Sequence, residues 1–421
     1  MDKLIVEGGN RLSGTIRISG AKNACLPILA ATVLTEDECV ISNVPELKDV
    51  STMINILSSL GKKIERAGDT VKVMAGRVSN VVAEYDLVST MRASIVVLGP
   101  LIAKYGRAKV SFPGGCIIGP RPIDLHLKGL RSLGADLKVE EGYIVASAKK
   151  LKGGRAYLGG HFGSSVLATS NTMLTAVLAV GETVIEDAAC EPEVSDLAGF
   201  LTAMGADIEG AGTPTIRIRG VKNLAGASYR VIPDRIETGT YMIAAVMTDG
   251  CLFLENARPE HNLALIDKLT ECGTLVSERA DGVEVCRSGV PPRSTHITTL
   301  TYPGFPTDLQ AQMMSLLTLT DGISVITEKI YPERFIHVSE LNRMGANILL
   351  EGPTAIVKGV KDLSGAQVMA SDLRASAALV LAGLVAEGRT EISRIYHLDR
   401  GYEHLEEKLT AVGANIERES E

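Results

Sequence analysis

The stretch SLGADLKVEEGYIVAS, Ser132–Ser147, sets the pattern of the chain. A glycine-alanine pair closes an amphipathic segment. Two alternating runs, ADLKVE and YIVAS, then flank the turn residues Glu141 and Gly142. Alternation of apolar and polar residues is the signature of a half-buried strand, so the segment reads as helix end, strand, turn, strand. The same phrase returns as SLGKKI, AMGADI, ECGTLV, RMGANI and AVGANI. Its glycines are Gly61, Gly134, Gly205, Gly273, Gly345 and Gly413, at intervals of 73, 71, 68, 72 and 68 residues. A repeat of that length is a small folded unit rather than a solenoid turn.

Before each glycine the apolar residues fall at helical spacing. Val50, Met53, Ile54, Leu57 and Leu60 do so in DVSTMINILSSLG. A glycine in that place fits a helix C-cap, where a left-handed residue is needed. Upstream in each copy lies a second, more apolar helix followed by a β-rich run, as in NTMLTAVLAVGETVIEDA and ASAALVLAGLVAEGRTEISRI. Each module therefore reads helix, strand, helix, strand, strand. Six modules divide as three plus three, with the break near Tyr229–Arg235. The expectation is an α/β protein of two similar globules with a cleft between them, a preferred place for ligands.

Bulk composition narrows the function classes. The 421 residues suggest two or three domains, and 45% hydrophobic with 22% charged residues is ordinary for a globular protein. With 43 basic and 50 acidic residues the net charge is −7, and no basic stripe is visible, so no nucleic-acid partner is expected. Apolar runs such as AALVLAGLVA are too short to cross a bilayer, and the N-terminus lacks the pattern of a signal peptide. No membrane association and a cytoplasmic location follow as expectations; no obligate protein partner is evident. The seven cysteines form no CxxC pair, and His126, His337, His397 and His404 have no metal-like spacing. These spacings argue against structural zinc, and the odd cysteine count argues against a disulfide framework.

Basic residues recur at module starts: Lys22 in SGAKNA, Arg92 in STMRAS, Arg235 in PDRIETG and Arg374 in SDLRAS. A helix N-terminus favours anions, and an added cation makes a phosphate or carboxylate site. Surface ion pairs or links between modules would place arginines equally well. Arg121, Arg334 and Arg400 lie in loop-like segments. Asp308 in GFPTDLQAQ fits either an N-cap or a general base. Glu191 and Glu193 read as a helix-start acidic pair. Cys116, in FPGGCIIGPRP, is either a small buried hydrophobe or a thiol made reactive by nearby arginines.

SGAKNA, TMRAS, PGGCIIGPRPIDLH, RVIPDRIETGT, FPTDLQAQ, GAQVMASDLRASAALVLAG and IYHLDRGYE together resemble the enolpyruvyl transferase family, in its UDP-N-acetylglucosamine branch. The likeness runs from Met1 to about Arg418. It implies a two-domain inverted α/β barrel in which the N-terminal strand crosses back, so that 1–20 with 230–421 form one domain and 21–229 the other. It implies transfer of the enolpyruvyl group of phosphoenolpyruvate to the 3-hydroxyl of UDP-GlcNAc, with release of phosphate and no cofactor.

The resemblance also assigns roles. Lys22, Arg121 and Arg400 would hold the phosphate of phosphoenolpyruvate, with Arg92 lining the pocket. Arg374 would engage its carboxylate, with Arg334 nearby. Asn23 would contact the sugar and Asp308 would take the proton of the 3-hydroxyl. Arg121, Pro122, Ile123, Asp124 and Leu125 would run along the UDP moiety, with Ser164, Ser165 and Val166 in the nucleotide loop and Ile330 offering backbone contacts. Cys116 would protonate the methylene, form a covalent adduct with phosphoenolpyruvate and be alkylated by fosfomycin. Leu167 stands where the family has glycine, and Cys190 where arginine is common. Those two departures motivate an alternative, a catalytically altered paralogue that binds UDP-GlcNAc.

Overall fold

A computed structural model describes residues 2–114, 123–287 and 289–420. Cys116, Arg121 and Pro122 lie outside the described residues, as does most of the loop that carries them. All six repeat glycines adopt positive φ, from 88° to 108°. Each closes a helix: five directly follow the C-cap, and Gly413 lies two residues after the cap at Ala411. The Gly61 amide donates to Ser58 O (2.9 Å) and the Lys62 amide to Leu57 O (3.0 Å), and Gly205 and Ala206 repeat this with Thr202 O and Leu201 O. This is the paired bonding of a Schellman motif, which satisfies carbonyls that the helix end would leave orphaned. A Cβ at Gly205 would meet nothing within 4 Å, so only backbone strain opposes it. We expect Gly205→Ala to cost about 1–2 kcal/mol, read as a lower urea midpoint; an unchanged midpoint would contradict the cap.

Each module carries one more strand than the repeat suggests. The six sheets have four strands apiece. In each, a short leading strand pairs in parallel with the strand after the apolar helix, giving a β-α-β-α-β-β unit. Val82–Ala83 pairs with Arg107–Ser111, and Arg155–Tyr157 with Glu182–Glu186. Two or three residues are too few for an alternation to show. In two modules the leading strand comes from elsewhere in the chain. Ser13–Arg17 joins Cys251–Glu255, and Ser228–Arg230 joins Cys39–Ser42. The N-terminal strand Lys3–Glu7 lies between Arg389–Ser393 and Asn415–Glu419 as one of the two inner strands of the last sheet.

The chain forms two compact units. One consists of Met1–Ser19 and Pro233–Glu421; the other takes the described residues of 20–232. The second changeover falls at Ile232/Pro233 because the strand Ser228–Arg230 still belongs to a sheet of the second unit. In each unit the apolar helices are buried and the sheets present one face to solvent. Every residue of Ile236–Met247 is buried, as are all of Gln310–Leu317 and all of 374–383. In the second unit 168–176 and most of Lys22–Ala31 are buried likewise. Each fully buried Leu, Ile or Met contributes about 1.5–3 kcal/mol, so each unit has a core of its own.

Two further points concern expectations from composition. No helix is long and apolar enough to cross a membrane among the described residues. Against the inference from the odd cysteine count, Cys251 and Cys286 are joined in a disulfide. They stand directly opposite each other on antiparallel strands, with Cα atoms 4.1 Å apart. Cys25, Cys39, Cys190 and Cys272 are free.

Candidate active site

In the first unit three of the singled-out residues meet. Asp308 lies in the 3-10 turn Thr307–Leu309, which leads into the buried helix Gln310–Leu317. Arg334 donates through Nη1 to Asp308 Oδ1 at 2.8 Å, and Arg374 through Nη2 to Oδ2 at 3.2 Å. The arginine side chains are 5% and 3% exposed, whereas that of Asp308 is 28% exposed. The carboxylate is therefore the group that faces outward, with two buried cations behind it. Burial opposes the charge on Arg334, but Asp308 and Asp372 outweigh it and raise its pKa. For Arg374 burial is outweighed by Tyr402, Asp308 and Asp234. Its Nη1 is buried and has no hydrogen-bond partner among the described residues. An unmade bond of a buried guanidinium is costly, and an anionic ligand would supply it.

Sequence reasoning missed most of what holds this cluster. Asp372 caps the helix Leu373–Gly383 by accepting from the Arg374 and Ala375 amides at 2.8 and 3.1 Å. Asp234 does the same for Arg235–Met247, accepting from Ile236 and Glu237. The aspartate one or two residues ahead of the arginine in PDRIE and SDLRAS is the N-cap signal that could have been read. The Arg374 guanidinium lies 5.3 Å from the ring centre of Tyr402, and that of Arg235 5.6 Å from Tyr302, distances typical of cation–π contact. Tyr402 Oη accepts from Gln312 Nε2 at 3.0 Å, and the same amide donates to the Asp308 carbonyl at 2.9 Å. Arg400 ends the 3-10 segment Ile395–Arg400, which packs on the Arg374 helix. Gly401 permits this, since a Cβ there would lie 2.5 Å from Leu373 Cδ2. Ile330 lies in the loop ahead of Arg334, its amide held by Glu328 at 2.8 Å.

In the second unit Lys22 is the first residue of Lys22–Ala31, and Arg92 the first of the 3-10 segment Arg92–Val97, which packs against it. Lys22 is buried and donates to Asp49 Oδ2 at 3.2 Å, a partner that sequence reasoning did not find. Asn23 is half-buried beside it. Ile123, Asp124 and Leu125 start the helix Asp124–Ser132; Ser164, Ser165 and Val166 start Val166–Ala176. Ser165 Oγ caps the second helix by accepting from the Ala168 amide. The two helices lie close because Gly129 has no side chain: a Cβ there would be 2.1 Å from Thr172 Oγ1. Leu125 reaches the turn before Ser164, its Cδ1 lying 3.0 Å from where a Cβ on Gly160 would be. Among the described residues, the helix start at Ile123 to Leu125 thus lies near the turn that precedes Ser164 to Val166. Leu167 sits half-buried in the first helical turn. Burial, then Glu191 and Asp187, push the Cys190 thiol up, against reactivity.

Histidines mark both units. Asn171 accepts from the Gly99 amide through Oδ1 at 2.7 Å, which turns its Nδ2 toward His126 Nδ1 at 3.2 Å. His126 Nδ1 is then the acceptor and its proton sits on Nε2. Burial, with Arg92 adding, pushes His126 down to about 3. Burial pushes His337 to about 4, with Arg334 adding and Asp372 opposing. An unfolded histidine takes up a proton near pH 6.5, so folding stability is lost as pH falls from there toward 4. The slope is about 1.4 kcal/mol per pH unit for each histidine. We expect urea midpoints to fall between pH 7 and pH 5, and His126→Gln to flatten that slope. An equal slope in the variant would contradict a neutral buried histidine.

Two units of repeated β-α-β-α-β-β modules wound around buried helices define the inverted α/β-barrel class, here with cations set at helix starts. Residues 6–409 match the family model EPSP synthase (3-phosphoshikimate 1-carboxyvinyltransferase), and the chain belongs to that enolpyruvyl transferase family. UDP-N-acetylglucosamine 1-carboxyvinyltransferase of Desulfosudis oleivorans is 56% identical over 99% of both chains, and that of Methylacidiphilum infernorum 54% identical over 99% of both. Among solved structures, the enolpyruvyl transferase NikO from Streptomyces tendae superposes with a TM-score of 0.89 at 26% identity, covering 99% of this chain and 98% of its own. EPSP synthase from Acinetobacter baumannii, at 19% identity and TM-score 0.77 over the whole of both chains, shares the fold.

Proposed function

We propose that the protein transfers the enolpyruvyl group of phosphoenolpyruvate to the 3-hydroxyl of UDP-N-acetylglucosamine and releases phosphate. This is the first committed step of peptidoglycan synthesis, and its place would be the cytoplasm. The observation that carries the reading is the Asp308 carboxylate turned outward on two buried guanidinium groups. The names of relatives more than half identical over the full length favour the active transferase over an altered paralogue.

Each residue has a task. Asp308 accepts one arginine bond on each oxygen and is the most exposed of the three side chains, so the carboxylate can take the proton of the 3-hydroxyl as its oxygen attacks C2 of phosphoenolpyruvate. Cys116 protonates C3. Loss of a C3 proton and departure of phosphate then restore the enol, now an ether of the sugar. Lys22, Arg121 and Arg400 hold the phosphate and Arg92 lines its pocket, while Arg374 takes the carboxylate through its unpartnered Nη1. Fixed cations of this kind stabilise charge without reorganising. Asn23 contacts the sugar. Arg121 to Leu125 and Ser164 to Val166 follow the UDP moiety. The Ile330 amide is held by Glu328, so its backbone contact falls to the carbonyl.

Proton NMR of the product tests this: vinyl signals attached at the sugar 3-oxygen are expected after incubation with phosphoenolpyruvate and UDP-GlcNAc. An unchanged nucleotide sugar would overturn it.

A further inference from the structure

Glu328 follows the strand Ile323–Thr327 and its residue is fully buried. Four donors converge on its carboxylate. Oε1 accepts from Thr299 Oγ1 at 2.6 Å and from the Ile330 and Tyr331 amides at 2.8 and 2.9 Å. Oε2 accepts from Thr307 Oγ1 at 2.9 Å. Thr307 Oγ1 in turn accepts from Arg334 Nη1 at 3.0 Å, and that same nitrogen donates to Asp308 Oδ1. A hydroxyl has one proton to give. By taking it, Glu328 turns the Thr307 lone pairs toward Arg334. The relay then runs from Glu328 through Thr307 and Arg334 to Asp308, while the other oxygen shapes the loop that leads to Arg334.

We infer that Glu328 is a positioning residue: through Thr307 it aims the Arg334 guanidinium at Asp308, and through the Ile330 and Tyr331 amides it fixes the loop that carries Arg334. This rests on the proposed transferase reaction. Nothing in it requires Glu328 to touch a substrate. Its geometric effect lies on the orientation of the base, so it is read in kcat more than in KM.

Glu328→Gln is the informative change, because it keeps size and one carbonyl oxygen. The amide nitrogen brings two donors to a place where every neighbour already donates. Arg334 and Arg374 both bond to Asp308, with Asp372 acting on Arg334. Loosening Arg334 leaves Asp308 less cation, so the acidic limb of the kcat–pH profile moves to higher pH. Using phosphoenolpyruvate and UDP-GlcNAc, we expect kcat to fall about 10–100-fold, with KM for UDP-GlcNAc changed by less than the rate. Thr307→Val, which removes only the relay hydroxyl, should reproduce both effects. Thr307→Ser should recover most of the rate lost in Thr307→Val. The double variant should be no slower than the slower single one, since both break a single relay.

Unchanged kcat and pH profiles in the two single variants overturn the proposal, as do losses that multiply or a change in KM alone. Should Glu328→Gln fail to fold by circular dichroism, the Thr307 pair decides alone. Wild-type protein that forms no product overturns the transferase reading itself, a failure distinct from active wild type with indifferent variants.

Discussion

Asp308→Asn is expected to retain the fold and lose about 100- to 10,000-fold in kcat, the usual worth of a positioned general base. Asparagine preserves the shape and one acceptor oxygen, so Arg334 or Arg374 keeps a partner, but it cannot take a proton from a hydroxyl. Asp308→Ala is a different experiment. It leaves two buried guanidinium groups without their shared carboxylate, and breaking a buried ion pair costs about 3–5 kcal/mol. The alanine variant should therefore lose stability as well as rate, while the asparagine variant loses mainly rate. Chemical denaturation beside steady-state kinetics separates the two. Full kcat in Asp308→Asn would remove Asp308 from the role of base.

The second large effect concerns Cys116. Cys116→Ala should cut turnover by a similar factor, because C3 of phosphoenolpyruvate then has no positioned acid. Cys116→Asp should keep measurable turnover, since a carboxyl group can also protonate carbon, and it should resist an epoxide such as fosfomycin, having no sulfur nucleophile. Intact-protein mass spectrometry after epoxide treatment checks the second half. An adduct mapped to Cys25, Cys39, Cys190 or Cys272 would contradict it. Of these, Cys25 and Cys272 have thiols pushed up to about 12 by burial, which leaves them almost entirely protonated and slow to react.

What could be read from the chain depended on whether the signal was local. The six glycines mark helix ends because a positive φ is a local demand that few other residues meet. The apolar helices announce themselves because burial on all sides leaves no polar face, as along Ile236–Met247. The leading strands of two or three residues, such as Val82–Ala83, are shorter than any period. The exchange of Ser13–Arg17 and Ser228–Arg230 between distant sheets is a matter of long-range pairing, which leaves no mark on neighbouring residues. The same holds for Cys251 and Cys286, whose separation of 35 residues is no motif.

The site divides along the same line. Lys22, Arg92, Arg235 and Arg374 were legible because each stands at a helix start, and the helix start has a chemical preference. Asp308 was legible as a residue with two readings; the N-caps of its turn and of the helix beyond fall at Pro306 and Leu309 instead, and the contacts with Arg334 and Arg374 give the carboxylate an ionic setting. Asp49 and Glu328 were not legible. A single acidic residue in KDV or ITEK looks like any solvated surface charge, and only the folded chain buries it among donors.

Phosphate release from phosphoenolpyruvate, followed continuously with purified protein, tests the central claim most directly. Release that begins on adding UDP-GlcNAc, and yields one phosphate per nucleotide sugar consumed, is the expected result. Release with shikimate 3-phosphate alone, or none with UDP-GlcNAc, would contradict it.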